Sequence, residues 1–178
     1  MQALALLAFA VVLAGCEPQS RPAARAIGEE QWREFQGTWT AAGSRHVIPL
    51  GPSRQASVAT FSGSLVLAGP SRPGVGFRAE TVVLNDSATG MVGRSVWTDD
   101  RGDQVFSELR GEGSATGNRI VGSFVGGTGR YAGATGDFEF SWRFVLETED
   151  GVVQGQSLGL KGRVRADATT PSAGGTRP

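Results

Sequence analysis

Residues 126–146 read GGTGRYAGATGDFEFSWRFVL, and this stretch decides the fold. In its second half apolar side chains alternate with polar ones, a period of two that predicts a long β-strand with one apolar face. The apolar positions are Phe138, Phe140, Trp142, Phe144 and Leu146. The first half places five glycines around Arg130 and Tyr131. Such a density suits backbone with positive φ, so it predicts a sharp corner that leads into the strand.

Strand signals recur along the chain at the spacing typical of a β-sandwich or a β-barrel. The predicted strand segments are 35–40, 45–49, 57–67, 75–85, 91–98, 104–112, 118–125, 135–148 and 152–165. Short polar, glycine-containing segments at 99–103 and 149–151 predict hairpins between consecutive strands. A meander leaves two exposed edges unless its sheet closes. We therefore predict an all-β domain, a single antiparallel up-and-down β-barrel of about eight strands.

Composition excludes several classes of function. Lys plus Arg and Asp plus Glu number 17 each, so the neutral chain has no electrostatic reason to bind nucleic acid. His46 is the only histidine, which excludes a metal site with several histidines. A Ser-His-Asp triad would need His46 at its centre, and no nucleophile-elbow motif lies beside it. We expect no metal, no cofactor and no nucleic-acid partner.

The N-terminal segment 1–15 carries no charged side chain and is shorter than the roughly 20 apolar residues that a membrane-spanning helix needs. It predicts a signal peptide. The sequence LAGC at 13–16 resembles a bacterial lipobox, which implies a diacylglycerol on the thiol of Cys16 and a palmitate-type anchor. A soluble secreted protein is the alternative, but a lone thiol is uncommon in an oxidising compartment. Glu17 after the cysteine favours the outer membrane of a bacterial cell envelope, facing the periplasm.

The regions between the anchor and the barrel, and after the barrel, are poor in large apolar side chains. Residues 16–31 contain Pro18, Pro22 and one large apolar residue, Ile27, so they predict a tether. Residues 167–178 predict a disordered tail on the same grounds. The remaining residues, 32–166, have the usual size of one domain.

The pattern GGTGRYAGATG at 126–136 resembles the signature of the allene oxide cyclase and dirigent β-barrel superfamily, including its bacterial branch. The resemblance implies a barrel that binds an apolar or unstable intermediate and controls cyclisation or coupling by shape, without a cofactor. Some members are trimers. By resemblance, Glu108, Tyr131 and Arg143 would steer such an intermediate.

A second motif, Gly37-Thr38-Trp39, resembles the first-strand Gly-x-Trp of the calycins. In those barrels the tryptophan plugs one end and packs on a basic residue of the last strand. Arg163 or Arg165 would supply that residue here, by stacking over the indole.

Periodicity alone does not say which face of the strand at 135–148 points into the barrel. If the aromatic face points inward, the interior is filled or forms an apolar cavity, and the charges on the strands are solvated. If it points outward, the aromatics form an interface between copies in a dimer or trimer, and some charges line a polar pocket. We favour the inward arrangement, because most single-domain barrels bury their most apolar face.

These interpretations lead to one function and one alternative. We predict a lipid-anchored barrel that binds a small apolar ligand or a partner protein, without catalysis. The alternative is a cofactor-free cyclase or isomerase of the allene oxide cyclase or dirigent type. The candidate ligand-binding residues are Trp97, Glu108, Tyr131, Trp142 and Arg143.

Overall fold

The structure, a computed structural model, describes residues 32–70, 72–111 and 119–165. These residues form eight antiparallel strands that follow one another around a closed barrel, with the last strand paired to the first. The strands are β1 (Arg33–Gly51), β2 (Arg54–Gly69), β3 (Arg72–Asp86), β4 (Gly90–Asp99), β5 (Gln104–Gly111), β6 (Arg119–Gly127), β7 (Thr135–Glu147) and β8 (Val152–Arg165). The predicted all-β, up-and-down antiparallel barrel is confirmed. The predicted signal peptide, tether with Cys16, and tail lie outside the described residues.

The prediction of two separate strands at 35–40 and 45–49 is wrong, because both belong to the 19-residue strand β1. Gly43 lies in the middle of β1 and pairs with Phe61 of β2. A Cβ atom at Gly43 would lie 1.7 Å from the carbonyl oxygen of Thr60. The glycine therefore marks a close approach of two strands and not a break in the chain.

The aromatic face of β7 points into the barrel, which confirms the arrangement that we favoured. Phe138, Phe140 and Trp142 are 3%, 5% and 8% exposed. The alternation ends before Leu146, which is 42% exposed, because the register with β8 shifts between Phe144 and Leu146. Beyond this shift Glu147 lies at the opening of the interior, and its side chain is 42% exposed.

The glycine corner between β6 and β7 lies across one end of the barrel. A single-turn 3-10 helix, Gly129–Tyr131, forms its centre, and Gly129 adopts a positive φ of 51°. The ring of Tyr131 packs on Phe77, with 5.8 Å between ring centroids. The corner predicted from the sequence is therefore confirmed, and we call this end the closed end.

Aromatic rings fill the barrel interior next to the closed end. Trp97, Phe124 and Phe138 form a cluster with ring centroids 4.9–5.1 Å apart. A Cβ atom at Gly122 of β6 would lie 2.1 Å from the ring of Phe138. The glycine lets the ring lie close against the strand, so the rings pack tightly in this half of the interior.

The predicted pairing of Trp39 with a basic residue of the last strand is wrong. Trp39 points into the barrel and packs on Trp142, with ring centroids 4.8 Å apart. The guanidinium carbons of Arg163 and Arg165 instead lie 4.8 Å and 5.2 Å from the ring centroid of Trp32, outside the core. Inward and outward side chains alternate on β8, so Arg163 cannot reach an interior ring.

Candidate functional site

The barrel interior opens at the end opposite the glycine corner, as a pocket of about 420 Å³. We call this end the mouth. Aromatic surface in the pocket comes from Trp39, Phe61, Phe140, Trp142 and Phe144. Val83, Met91 and Leu109 add aliphatic surface from β3, β4 and β5. The barrel is thus filled at one end and hollow at the other.

Small residues in the wall of the barrel leave room for the pocket. Ala59 of β2 lines it with a single methyl group and is only 4% exposed. On β8, a Cβ atom at Gly155 would lie 2.5 Å from the indole of Trp142. The indole therefore lies close against the β8 backbone, and the space in front of it belongs to the pocket.

A row of hydroxyl groups runs across the inner face of three adjacent strands. Thr81 of β3 pairs with Ser95 of β4, and Ser95 pairs with Ser107 of β5. Directly opposed residues in antiparallel strands share one face of the sheet. Their exposed fractions are 7%, 4% and 2%, so all three are buried. The wall formed by β3, β4 and β5 is consequently more polar than the aromatic wall formed by β1, β2 and β7.

Hydrogen bonding is incomplete along this row. Ser95 Oγ accepts a hydrogen bond of 2.8 Å from the indole N–H of Trp97. Neither Thr81 Oγ1 nor Ser107 Oγ has a hydrogen-bond partner among the residues that the structure describes. A buried polar group left without a partner costs about 1–3 kcal/mol. Groups of this kind are rare in folded proteins and can mark a functional site.

The indole of Trp39 presents a third such group. Its Nε1 has no hydrogen-bond partner within the described parts of the chain, and the residue is 7% exposed. Its backbone N–H, in contrast, donates to Ser157 Oγ at 2.8 Å. Trp39 and Thr81 both line the pocket. Trp39 Nε1 and Thr81 Oγ1 themselves each expose less than 1 Å², and we call them the buried wall atoms.

Charged side chains lie at the mouth. Arg45 forms an ion pair with Glu147, and both line the pocket. The guanidinium carbon of Arg45 lies 5.5 Å from the ring centroid of Phe144, and its backbone N–H donates to Gly151 O at 2.7 Å. The charges are therefore held at the rim by the strand ends, above the aromatic part of the pocket.

The structure does not bring the five predicted ligand-binding residues together. Trp142 lines the pocket. Trp97 is buried among the rings below it, and Tyr131 lies at the closed end. Glu108 is on the outer surface, where it pairs with Arg94 at 3.0 Å, and Arg143 is also exposed on the outer face. Since Leu109 and Trp142 point inward, their neighbours Glu108 and Arg143 must point outward.

Sequence reasoning missed the buried wall atoms and the Arg45–Glu147 pair. Thr81 shares its face of β3 with Phe77 and Ala79, so a polar residue in an otherwise apolar series was the available signal. No comparable signal existed for Glu147. It reaches the opening of the interior through the register shift in β7, which the sequence does not reveal.

A buried carboxylate, that of Asp99, lies at the closed end, apart from the pocket. The side chain of Asp99 is 0% exposed and forms an ion pair with Arg130 of the glycine corner. Asp99 Oδ1 accepts hydrogen bonds from the backbone N–H groups of Arg101 and Asp103, at 2.8 Å and 3.0 Å. Burial raises the pKa of Asp99, but the hydrogen bonds from Arg101 and Arg130 outweigh it, so the pKa lies below its usual range. Burial raises the pKa of Tyr131 to about 12, which keeps its hydroxyl protonated.

Two negative findings apply to the described residues, 32–70, 72–111 and 119–165. No group of three or more His, Cys, Asp or Glu side chains among them is placed to hold a metal ion. No helix in these same ranges has the length and apolar character needed to cross a membrane.

Comparison with known proteins shows a likeness in fold. No family model and no curated protein matches the chain. The barrel is similar to a dirigent protein. That solved structure is of a pterocarpan synthase dirigent protein, with 12% sequence identity, coverage of 84% of this chain and 99% of that chain, and a TM-score of 0.46.

Proposed function

We propose that the protein is a non-catalytic binding protein that holds one small, largely apolar molecule in the pocket at the mouth of the barrel. The observation that carries this proposal is the contrast between the two ends of the interior. Aromatic rings fill the closed end, whereas the mouth holds a pocket of about 420 Å³ lined by five aromatic side chains. Ligand pockets typically measure about 300–1,000 Å³ and are mostly apolar, with a few polar groups.

The Ala59→Phe variant tests this proposal, because the added ring would occupy the pocket. We expect it to lose the ligand, with affinity reduced at least about tenfold, since an overpacked site costs about 1–3 kcal/mol. Native mass spectrometry of protein purified gently from its own source cell would show the bound compound as a defined extra mass on the wild type. The same spectra count subunits and so test the predicted dimer or trimer.

Ala42→Phe is the matched control, because Ala42 is exposed on the outer face of β1. It should carry the ligand like the wild type, and circular dichroism should show that both variants fold. A wild-type protomer without extra mass, and without affinity for added apolar compounds, would contradict the proposal. It would favour a partner-binding role, to be pursued by crosslinking in the intact envelope.

The alternative proposal is a cofactor-free cyclase or isomerase. The Arg45–Glu147 pair at the mouth of the pocket favours it, because preorganised charged groups stabilise developing charge. Glu108 and Arg143 lie outside the barrel, so these groups would have to act in their place. Incubation with the isolated ligand separates the two proposals. A compound recovered unchanged supports binding, and an isomer of the same mass supports catalysis.

We also propose that Cys16 carries a lipid that anchors the protein in the outer membrane, facing the periplasm. The support is the LAGC sequence at 13–16, since acyl chains bind membranes through the burial of their CH₂ groups. We expect Cys16→Ser to move the protein from the membrane fraction to the soluble fraction. Ser20→Ala, which keeps the thiol, should leave it in the membrane fraction. Retention of the Cys16→Ser protein in the membrane fraction would contradict lipidation.

A further inference from the structure

The hairpin between β1 and β2 lies at the mouth and is apolar at its tip. Strand β1 pairs with β8 only as far as Ser44, and β2 pairs with β3 only from Ala56 onward. Residues 45–55 therefore form a two-stranded ribbon beyond the last pair of β1 and β8, and we call it the mouth hairpin. We propose that the tip of the mouth hairpin inserts into a lipid bilayer, so that the pocket opens at the membrane surface. This role goes beyond the proposed function and does not depend on it.

Both faces of the mouth hairpin expose large apolar side chains. Val47 and Ile48 are consecutive in β1, so they point to opposite faces of the ribbon. Their exposed fractions are 36% and 47%, and that of Leu50 is 50%. A protein that docks on a ribbon covers one of its faces, whereas a bilayer surrounds an inserted tip on all sides. Apolar side chains on both faces therefore favour a lipid environment over a second protein surface.

The tip carries few groups that resist transfer into lipid. No Asp, Glu, Lys or Arg stands between Arg45 and Arg54 in the sequence. Pro49 and Pro52 have no backbone N–H, so neither brings a donor that needs a partner. Pairing of β1 with β2 along the ribbon supplies backbone hydrogen bonds from within the protein, as a lipid environment requires.

Charged groups around the mouth hairpin limit the depth of insertion. The ion pairs Arg45–Glu147 and Arg54–Asp86 lie at its base. Glu149, in the turn between β7 and β8, is exposed at the same end of the barrel. Charged side chains are costly to bury in hydrocarbon, so these groups stay in the headgroup layer or in water. Insertion is therefore restricted to the tip.

The part of the chain that precedes β1 is long enough to place a bilayer at the mouth. Cys16, the proposed lipid site, stands 16 positions before Trp32. An extended chain of that length spans up to about 55 Å. Strand β1 rises about 50 Å between Arg33 and Ile48, and less along the barrel axis because barrel strands are tilted. A lipid on Cys16 therefore allows the mouth hairpin to reach the same membrane.

A fluorescent label attached at single positions tests the proposal. Full-length Cys16→Ser protein has no cysteine, so a residue introduced by Val47→Cys or Ile48→Cys is the only thiol that nitrobenzoxadiazole can label. With phosphatidylcholine vesicles we expect both labels to shift their emission to the blue and to lose emission when spin-labelled lipid is present. Any binding that residues 1–15 contribute is common to all variants, so the position of the label decides the result.

Val66→Cys is the matched control, because Val66 is 51% exposed on the same pair of strands but lies toward the closed end, opposite Thr38. Its label should keep the emission seen without vesicles. An equal response at Ile48→Cys and Val66→Cys would overturn the proposal, and so would a response at only one of Val47→Cys and Ile48→Cys or at neither. A shift that appears without vesicles and grows with protein concentration would also overturn it, because a second copy would then cover the tip. Each of these results leaves the proposed function standing.

Discussion

The Trp97→Ala variant should be less stable than the wild type by about 3–5 kcal/mol, the usual cost of removing a buried aromatic side chain. Trp97 is 5% exposed and packs on Phe124 and Phe138, with ring centroids 5.1 Å and 4.9 Å away. Its indole N–H also donates to Ser95 Oγ. Truncation therefore opens a cavity in the tightly packed half of the barrel and removes the donor that pairs with a buried hydroxyl.

Urea unfolding, followed by circular dichroism, would measure this loss as a lower midpoint at an unchanged slope. Trp32→Ala is the control, because Trp32 is 42% exposed and stacks on arginines outside the core. An exposed cation–π contact is worth about 0.5–1 kcal/mol, so the control should cost no more than that. A loss below about 1 kcal/mol for Trp97→Ala, outside the range for a buried ring, would show that this ring is not part of the core.

The second large effect is expected for Asp99→Ala, at about 3 kcal/mol. The substitution removes a fully buried carboxylate and leaves Arg130 without its main partner. It also leaves the backbone N–H groups of Arg101 and Asp103 without the acceptor that holds the turn between β4 and β5. Asp100→Ala is the control. Asp100 contacts the same arginine at 3.3 Å, but its side chain is 82% exposed, so the cost should stay below about 1 kcal/mol.

The effect of Asp99→Ala should depend on pH. The folded state holds the pKa of Asp99 below its unfolded value, so the carboxylate stabilises the fold fully above the unfolded pKa of about 3.9. This contribution is lost as the pH falls through the folded pKa. The stability difference between wild type and variant should therefore be constant from pH 7 to 5 and shrink below about pH 4. A difference that stays the same down to pH 2 would show that charge does not contribute to it.

The barrel could be predicted from the sequence because apolar and polar residues alternate along its strands and its turns are short, polar and contain glycine. The sequence is ambiguous at Gly43, because a glycine there fits either an interruption between two strands or a close approach of two paired strands. Only the pairing of Gly43 with Phe61 decides between them. The corner at residues 126–136 could be predicted because so many glycines close together favour backbone with positive φ over a regular strand or helix.

The candidate site was harder to predict, because a pocket depends on which residues of different strands meet. The strand period placed Trp142 on the apolar face, and the tendency of barrels to bury their most apolar face placed it inside. The same period excludes Arg143 from the interior, but the family resemblance suggested a pocket role that the strand geometry does not allow. Thr81, Ser95 and Ser107 come into one row through the pairing of β3, β4 and β5. That register depends on how the strands pair in the fold, and the spacing of residues within one strand does not reveal it.

The pairing of β1 with β8 also determines the order of events when this chain folds. The backbone N–H of Trp39 bonds to the hydroxyl of Ser157, which lies 118 positions further along the chain. Contacts between such distant positions make folding slow, on the order of milliseconds to seconds. The folding chain therefore remains an open meander, with this edge of β1 unpaired, until β8 docks against it. During this interval the free edge is the part of the molecule most exposed to aggregation and most in need of a chaperone.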